Sequence, residues 1–308
     1  MLSRRRLLTL VPAAAALPFL GKPAQALGYT DPSAAEQPTL TVAHLTDIHF
    51  GAELLDPRMP AGLSERGLRA TLQQAQSQGA GLILQGGDLL AEAFNLPLEQ
   101  VQPQLDGVLR VLREEVKVPI RHAVGNHDIW GWDKEKSRTA GNEPGWGKGL
   151  YMQALGMDRP YYSFDQAGWH FAVLDDIQPD KDGYTVKLDS DQFKWLADDL
   201  SAHSALPTVI LSHAPILSVG AFFDGSFTTG NWVVPHSVMH IDAQRLKNLF
   251  KKHPQVKLAL SGHTHLRDQA LYGALYANGG PSQAPPGKAT ARKLHQVTIL
   301  FDFMPVDG

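Results

Sequence analysis

Five apolar runs in this chain each stop at a carboxylate, an amide or an imidazole, and that repetition restricts the possible fold more than any other feature. Thr39–Leu45 runs into Asp47-Ile48-His49, Gly81–Gln85 into Gly86-Gly87-Asp88, and Val118–Val124 into Gly125-Asn126-His127-Asp128. Pro207–Leu211 runs into Ser212-His213, and Val256–Leu260 into Ser261-Gly262-His263-Thr264-His265. Short apolar runs bounded in this way read as buried strands. Between them lie helical patterns. Leu63–Gln78 puts Leu68, Leu72 and Ala75 on one face and stops at Gly79. Leu98–Val116, Asp189–Ser201 with Phe193, Leu196 and Leu200 inward, and Ile241–Lys252 are further helices, and Tyr161–Asp165 and His170–Asp175 read as paired strands. Alternating elements imply an α/β core. In open α/β sheets ligands bind beyond the carboxyl ends of the strands, so five polar strand ends describe one site.

The residue types narrow the chemistry. There is no cysteine. Disulfides, thiolate metal cages and a cysteine nucleophile are thereby excluded, and histidine and carboxylate must do any metal work. Lys and Arg number 28 against 31 Asp and Glu, and without a basic run beyond the N-terminus no nucleic-acid footprint is expected. Taken singly, each strand-end block has an ordinary reading. Gly86-Gly87-Asp88 is a plausible turn, Asn126-His127-Asp128 a plausible Asx turn, and His213 a loop histidine. His44 and His170 read as packed strand residues, and His236 and His240 are undecided. Taken together, the ordinary readings require five coincidences at five strand ends.

The N-terminus has its own pattern. Ser3-Arg4-Arg5-Arg6 precedes an apolar stretch from Leu7 to Leu20, then Ala24-Gln25-Ala26. This reads as a signal peptide over residues 1–26, and its start resembles a twin-arginine export signal. The apolar stretch is short for a membrane span of about 20 residues, so no stable span is expected in the mature protein. Residues 27–38 read as an arm and 39–308 as a single domain. The expected location is periplasmic or secreted, with the twin-arginine export machinery as a partner. Two loops, Ile129–Met157 and Ser218–His240, are long enough to suggest function. Their Trp130, Trp132, Trp146, Phe222, Phe223, Phe227 and Trp232 are candidates for lining a substrate site or for packing the loops down. The segment Gly280–Lys293 shows no pattern, and Leu294–Phe303 alternates like a last strand.

The ordered blocks Asp47-x-His49, Gly87-Asp88, Gly125-Asn126-His127-Asp128, His213 and Gly262-His263-x-His265 resemble the calcineurin-like metallophosphoesterase family. The resemblance implies a four-layer α/β/β/α sandwich of two mixed sheets flanked by helices. It implies a dinuclear centre, with Asp47, His49, Asp88 and His265 on one ion and Asp88, Asn126, His213 and His263 on the other. It further implies hydrolysis of a small phosphate ester, diester or monoester, by water activated between the ions. His127 is then the acid for the leaving oxygen, oriented by Asp128. The ions would be divalent or trivalent manganese, iron or zinc. Ala91 stands where purple acid phosphatase-like members carry a tyrosine ligand, so a tyrosinate-iron centre is not expected. The alternative is a silent metal-binding receptor or scaffold of the same fold, which would have no use for a leaving-group acid.

Overall fold

A computed structural model describes residues 40–181, 183–220, 233–279 and the backbone of 297–303. The export segment, the arm, Phe222, Phe223, Phe227, Trp232 and the segment Gly280–Lys293 lie outside the described residues. The strands are β1 Leu40–Thr46, β2 Leu82–Gln85, β3 Ile120–His122, β4 Tyr162–Gln166, β5 Trp169–Val173, β6 Ile177–Asp180, β7 Gly183–Val186, β8 Thr208–Leu211, β9 Val256–Ser261, β10 Asp268–Tyr272, β11 Ala274–Asn278 and β12 Val297–Phe303. The helices are α1 Ala52–Leu55, α2 Leu63–Ser77, α3 Leu98–Glu115, α4 Lys134–Ser137, α5 Gly149–Leu155, α6 Ser190–Ala202 and α7 Ala243–Lys252.

Period-two alternation sorts the strand residues into layers. On β1, Val42 faces one way and Ala43 the other. In parallel register with β2, Val42 stands beside Leu82 and Ala43 beside Ile83. Val42, Leu82 and Leu84 meet Phe171, Val173, Val209, Leu211 and Leu260 of the second sheet. Ala43, Leu45 and Ile83 meet Leu68 and Leu72 of α2 and Leu105 and Val108 of α3. The outer face of the second sheet, with Ala172, Ile210 and Ala259, lies under Leu196 and Leu200 of α6 and Leu246 and Phe250 of α7. These three cores make four layers, α/β/β/α. Each fully buried Leu or Ile contributes about 1.5–3 kcal/mol relative to an exposed one.

The first sheet has the order β12-β1-β2-β3 and the second β10-β11-β9-β8-β5-β4. Both are mixed. β1, β2 and β3 run parallel with β12 antiparallel at the edge, and β5, β8, β9 and β11 run parallel with β4 and β10 antiparallel at the edges. The parallel strands deliver their carboxyl ends to one side, and the Gly262 N–H donates to His213 O there at 2.8 Å. Two hairpins escaped the sequence pattern. β6–β7 forms its own two-stranded sheet, and β10–β11 extends the second sheet. The long loop after Ile129 contains α4 and α5.

Candidate metal centre

The polar strand ends are held in an unusual backbone. Asp47, His49, Asp88, His263 and His265 have φ values of 54°, 47°, 51°, 70° and 54°. The left-handed region costs an L-residue roughly 1–2 kcal/mol. Such residues concentrate where the surrounding structure over-determines them, which is a pointer to function. The turn after β9 therefore falls on the histidines themselves. Gly262 serves close approach instead: a Cβ there would overlap Thr46 Oγ1 and Asp47 Oδ2.

All seven strand-end residues named from the sequence converge. Asp47, His49, Asp88 and His265 bring one donor atom each to within 4.8 Å of one another, and so do Asp88, His213 and His263. His49 Nε2 lies 3.0 Å from His265 Nε2, and His265 Nε2 lies 3.4 Å from Asp47 Oδ1. Asp88 belongs to both groups. Its Oδ2 is 3.3 Å from His213 Nε2 and 3.8 Å from His49 Nε2, while its Oδ1 accepts the His127 backbone N–H at 2.9 Å. Asn126 Oδ1 is 3.1 Å from His213 Nε2.

The surrounding hydrogen bonds decide what these atoms can hold. His213 Nδ1–H donates to Gly86 O at 2.8 Å, which turns Nε2 toward the centre. His263 Nε2–H donates to Ser237 O at 2.7 Å, which turns Nδ1 toward the centre. Those two inward nitrogens are 3.2 Å apart. With Asp88 Oδ2 and Asn126 Oδ1 they bring four nitrogen and oxygen atoms to one point. Lone pairs so arranged repel unless a cation or a proton lies between them. The carboxylates favour positive charge here. Burial opposes charge on His213, yet Asp88, then Asp47 and Asp176, push it up to about 10. Burial also opposes charge on Asp47, but His265 and His213 draw it down to about 2. The donor set fits a cation of intermediate softness.

His127 stands at the rim, its ring 4.9 Å from that of His49 in an edge-on arrangement. The expectation that Asp128 orients it is not met. Asp128 Oδ1 accepts from Leu90 N at 3.0 Å and Oδ2 from Gly125 N at 2.9 Å, so this buried carboxylate ties two loops together. Asn126–Asp128 is a turn of 3-10 helix, in which neighbouring side chains diverge by about 120°. The carboxylate that meets His127 is Glu92, with Oε2 3.3 Å from Nδ1. Glu92 Oε1 is fixed by Phe94 N–H at 2.7 Å. Burial opposes charge on His127, but Asp88 and Glu92 push it up to about 9.

Sequence reasoning missed Glu92, Ser237 and Asp176. Asp176 follows β5 and accepts the backbone N–H groups of His213 at 3.1 Å and Ala214 at 2.7 Å. The undecided His240 is buried between Asp176, 3.3 Å away, and Asp242, 2.9 Å away. The strand-end rule applied to β5 would have found Asp176. Among the loop aromatics, Trp130 is core, and Trp146 donates to Gly131 O at 2.9 Å within its own loop. Trp132 reaches Phe94 at 6.1 Å. His44 is a packed residue whose burial pushes it down to about 4.

The sequence profile of the calcineurin-like phosphoesterases matches residues 40–267. The chain belongs to that family. This metallophosphoesterase is 27% identical over 241 residues to a protein of Synechococcus sp. named a probable cyclic nucleotide phosphodiesterase, covering 75% of this chain and 76% of that one. It is 25% identical over 251 residues to a 3′,5′-cyclic-nucleotide phosphodiesterase of Nostoc sp., covering 80% and 79%. Its fold is similar to a dimetal phosphatase from Danio rerio, with TM-score 0.54, 15% identity and coverage of 78% of this chain and 87% of that one. It is also similar to a purple acid phosphatase from yellow lupin, with TM-score 0.53, 16% identity and coverage of 82% and 47%. The family and the two donor clusters together make this an enzyme of metal-dependent phosphoester hydrolysis.

Proposed function

We propose that this metallophosphoesterase cleaves phosphate diesters, with a dinuclear centre on the seven strand-end residues and His127 as proton donor to the leaving oxygen. The observation that carries the reading is the convergence of two ligand clusters joined by Asp88, with His127 and Glu92 beside them. Asp47, His49, Asp88 and His265 would hold one ion, and Asp88, Asn126, His213 and His263 the other. Manganese, iron and zinc all suit oxygen and nitrogen donors without sulfur. Two cations so placed would clamp the attacking and leaving oxygens and lower the pKa of a water.

The protein's own groups supply the rest. Gly86 O and Ser237 O fix which ring nitrogen His213 and His263 present. Asp176 holds the backbone of His213 in place. His127 donates its proton to the alcohol oxygen as the P–O bond breaks, and Glu92 favours the charged ring that can do so. A silent scaffold would need the ligands but neither His127 nor Glu92. The names of the two cyanobacterial relatives support a diester, and a cyclic nucleotide in particular. Kinetics on matched diesters and monoesters test this: kcat/KM is expected to favour the diester, and a monoester preference would overturn the assignment.

We also propose that residues 1–26 direct export of the folded protein by the twin-arginine route to the periplasm or beyond, followed by an arm at 27–38 and a single catalytic domain at 39–308. The double change Arg4→Lys and Arg5→Lys is expected to strand the precursor in the cytoplasm. Normal export of that variant would point to a different route.

A further inference from the structure

Beside the metal centre lies a recess of about 430 Å³, bounded by Phe94, Tyr184, His236 and Ser237 and by Asp180, Lys181 and Gly183 of the β6–β7 hairpin. That volume lies within the range of about 300–1,000 Å³ typical of small-molecule sites. Its position is fixed from both sides of the chemistry. On one side, Ser237 O accepts from His263 Nε2–H, and the Tyr184 ring stands edge-on to the His263 ring at 6.2 Å. On the other, Phe94 N–H is bound to Glu92, whose second oxygen meets His127. Phe94 and Tyr184 meet edge-on, their ring centroids 6.1 Å apart and their planes at 66°.

The hairpin that presents Tyr184 joins neither main sheet. A lone two-stranded hairpin is marginally stable by itself. This one is fastened to its surroundings: Val186 N–H donates to His236 O at 2.8 Å, and Val186 O accepts from Ile241 N–H at 3.0 Å. Ile177 and Val186 anchor it in the core, which leaves Tyr184 on the rim. Two aromatic rings at the mouth of a phosphoester site offer a π surface that any planar group can use.

We propose that this recess receives the planar aromatic group of the ester, a nucleobase, against Phe94 and Tyr184, and so selects nucleotide diesters; the proposal rests on the diester-hydrolase reading above. The phosphoryl group then lies toward His263 and the leaving oxygen toward His127. His236 and Asp180, 3.5 Å apart at the mouth, lie on the solvent side of that base.

The test compares adenosine 3′,5′-cyclic phosphate with ribose 3′,5′-cyclic phosphate, the same ring without its base, on the metal-loaded protein. Phe94→Leu and Tyr184→Leu keep apolar volume and remove the ring. Wild type is expected to prefer the nucleotide, and each variant to lose about tenfold of that preference, chiefly through KM. Thermal melts identify which variants fold, and one folded variant suffices. An unchanged preference in a folded variant overturns the recess. If wild type turns over neither compound, the cyclic-diester reading falls. Calorimetric binding of the same two compounds to the same variants then decides the recess: a preference for the nucleotide that the variants lose supports it, and equal binding overturns it.

Discussion

Two groups of histidines and carboxylates lie at opposite ends of β5, and they solve one charge problem in opposite ways. At the start of the strand, His170 places Nδ1 2.7 Å from Asp165 and Nε2 2.8 Å from Asp199. Both ring nitrogens donate to anions, so the buried imidazolium carries its counter-ions with it. His203 stacks on it at 3.9 Å and 11° and turns its own Nδ1–H to Asp199 O at 2.8 Å, so although Asp165, His170 and His203 bring one atom each to within 4.8 Å, the ring nitrogens of His170 are already used. Beyond the other end of the strand, His213 and His263 turn the nitrogens left by their bonds to Gly86 O and Ser237 O toward each other and toward Asp88 and Asn126. The second group gathers its atoms on one point that a cation can fill, while the first spends its ring nitrogens on carboxylates. The residue types are nearly the same, and the direction of the surrounding N–H groups decides which group binds a cation.

The comparison breaks most sharply at Asp88, the carboxylate shared by both donor sets. Asp88→Asn is expected to weaken both metal sites together and lower turnover by about 10⁴-fold, since several kcal/mol of charge stabilisation depends on them. Turnover near wild type in that variant would remove Asp88 from the centre. His127→Ala is expected to keep metal content and lose about 10³-fold on an ester with a poor leaving group. An activated aryl ester, whose phenolate leaves unaided, should lose far less. Equal losses on both esters would take the acid role away from His127.

Glu92→Gln sharpens the contrast more gently, with kcat reduced about tenfold. The sign of its pH effect is fixed. In the proposed acid role His127 works protonated, and Glu92 helps to raise its pKa above 6.5. Activity is therefore present below the raised value and lost as pH climbs through it. Without the carboxylate, the alkaline limb of the rate profile is expected at lower pH, and an unmoved limb would show that Glu92 does not act on His127.

The smallest effect on chemistry is expected at the other end of β5. His170→Gln should leave metal content and kcat unchanged and cost about 2 kcal/mol of stability, the scale of a charged hydrogen bond. Burial opposes charge on His170, but Asp199 and Asp165 raise its folded pKa above 6.5. Its contribution is complete below about pH 6.5 and is lost as pH rises through the folded value. Melting curves across that window should slope in wild type and flatten in the variant. Metal loss in His170→Gln would erase the distinction between the two groups.

What could be read in advance was whatever chemistry is local. Asp47, Asp88, Asn126, His213 and His263 each follow an apolar run directly, so the strand pattern carried them to one edge. The strands β1, β2, β3, β4, β5, β8, β9 and β12 and the helices α2, α3, α6 and α7 were legible for the same reason, since their periodicity is written within each segment, whereas the division into two sheets was what the family resemblance implied. The β6–β7 hairpin was not legible, because Pro179 interrupts the strand pattern of β6 and its pairing is with itself. Glu92 was hidden because its partner is 35 residues away and it sits past the strand end. Asp128 was misjudged because adjacency in sequence was taken for adjacency in space. The 3-10 turn separates it from His127 and gives it to Leu90 and Gly125.

The central claim is that two cations per chain occupy facing lone-pair sets joined by one carboxylate. Elemental analysis of the protein purified from its native host, beside Asp88→Asn and His170→Gln, tests it most directly. Two metal ions per chain are expected in wild type and in His170→Gln, with both sites depleted together in Asp88→Asn. A single ion in wild type, or loss of only one ion in Asp88→Asn, would contradict it.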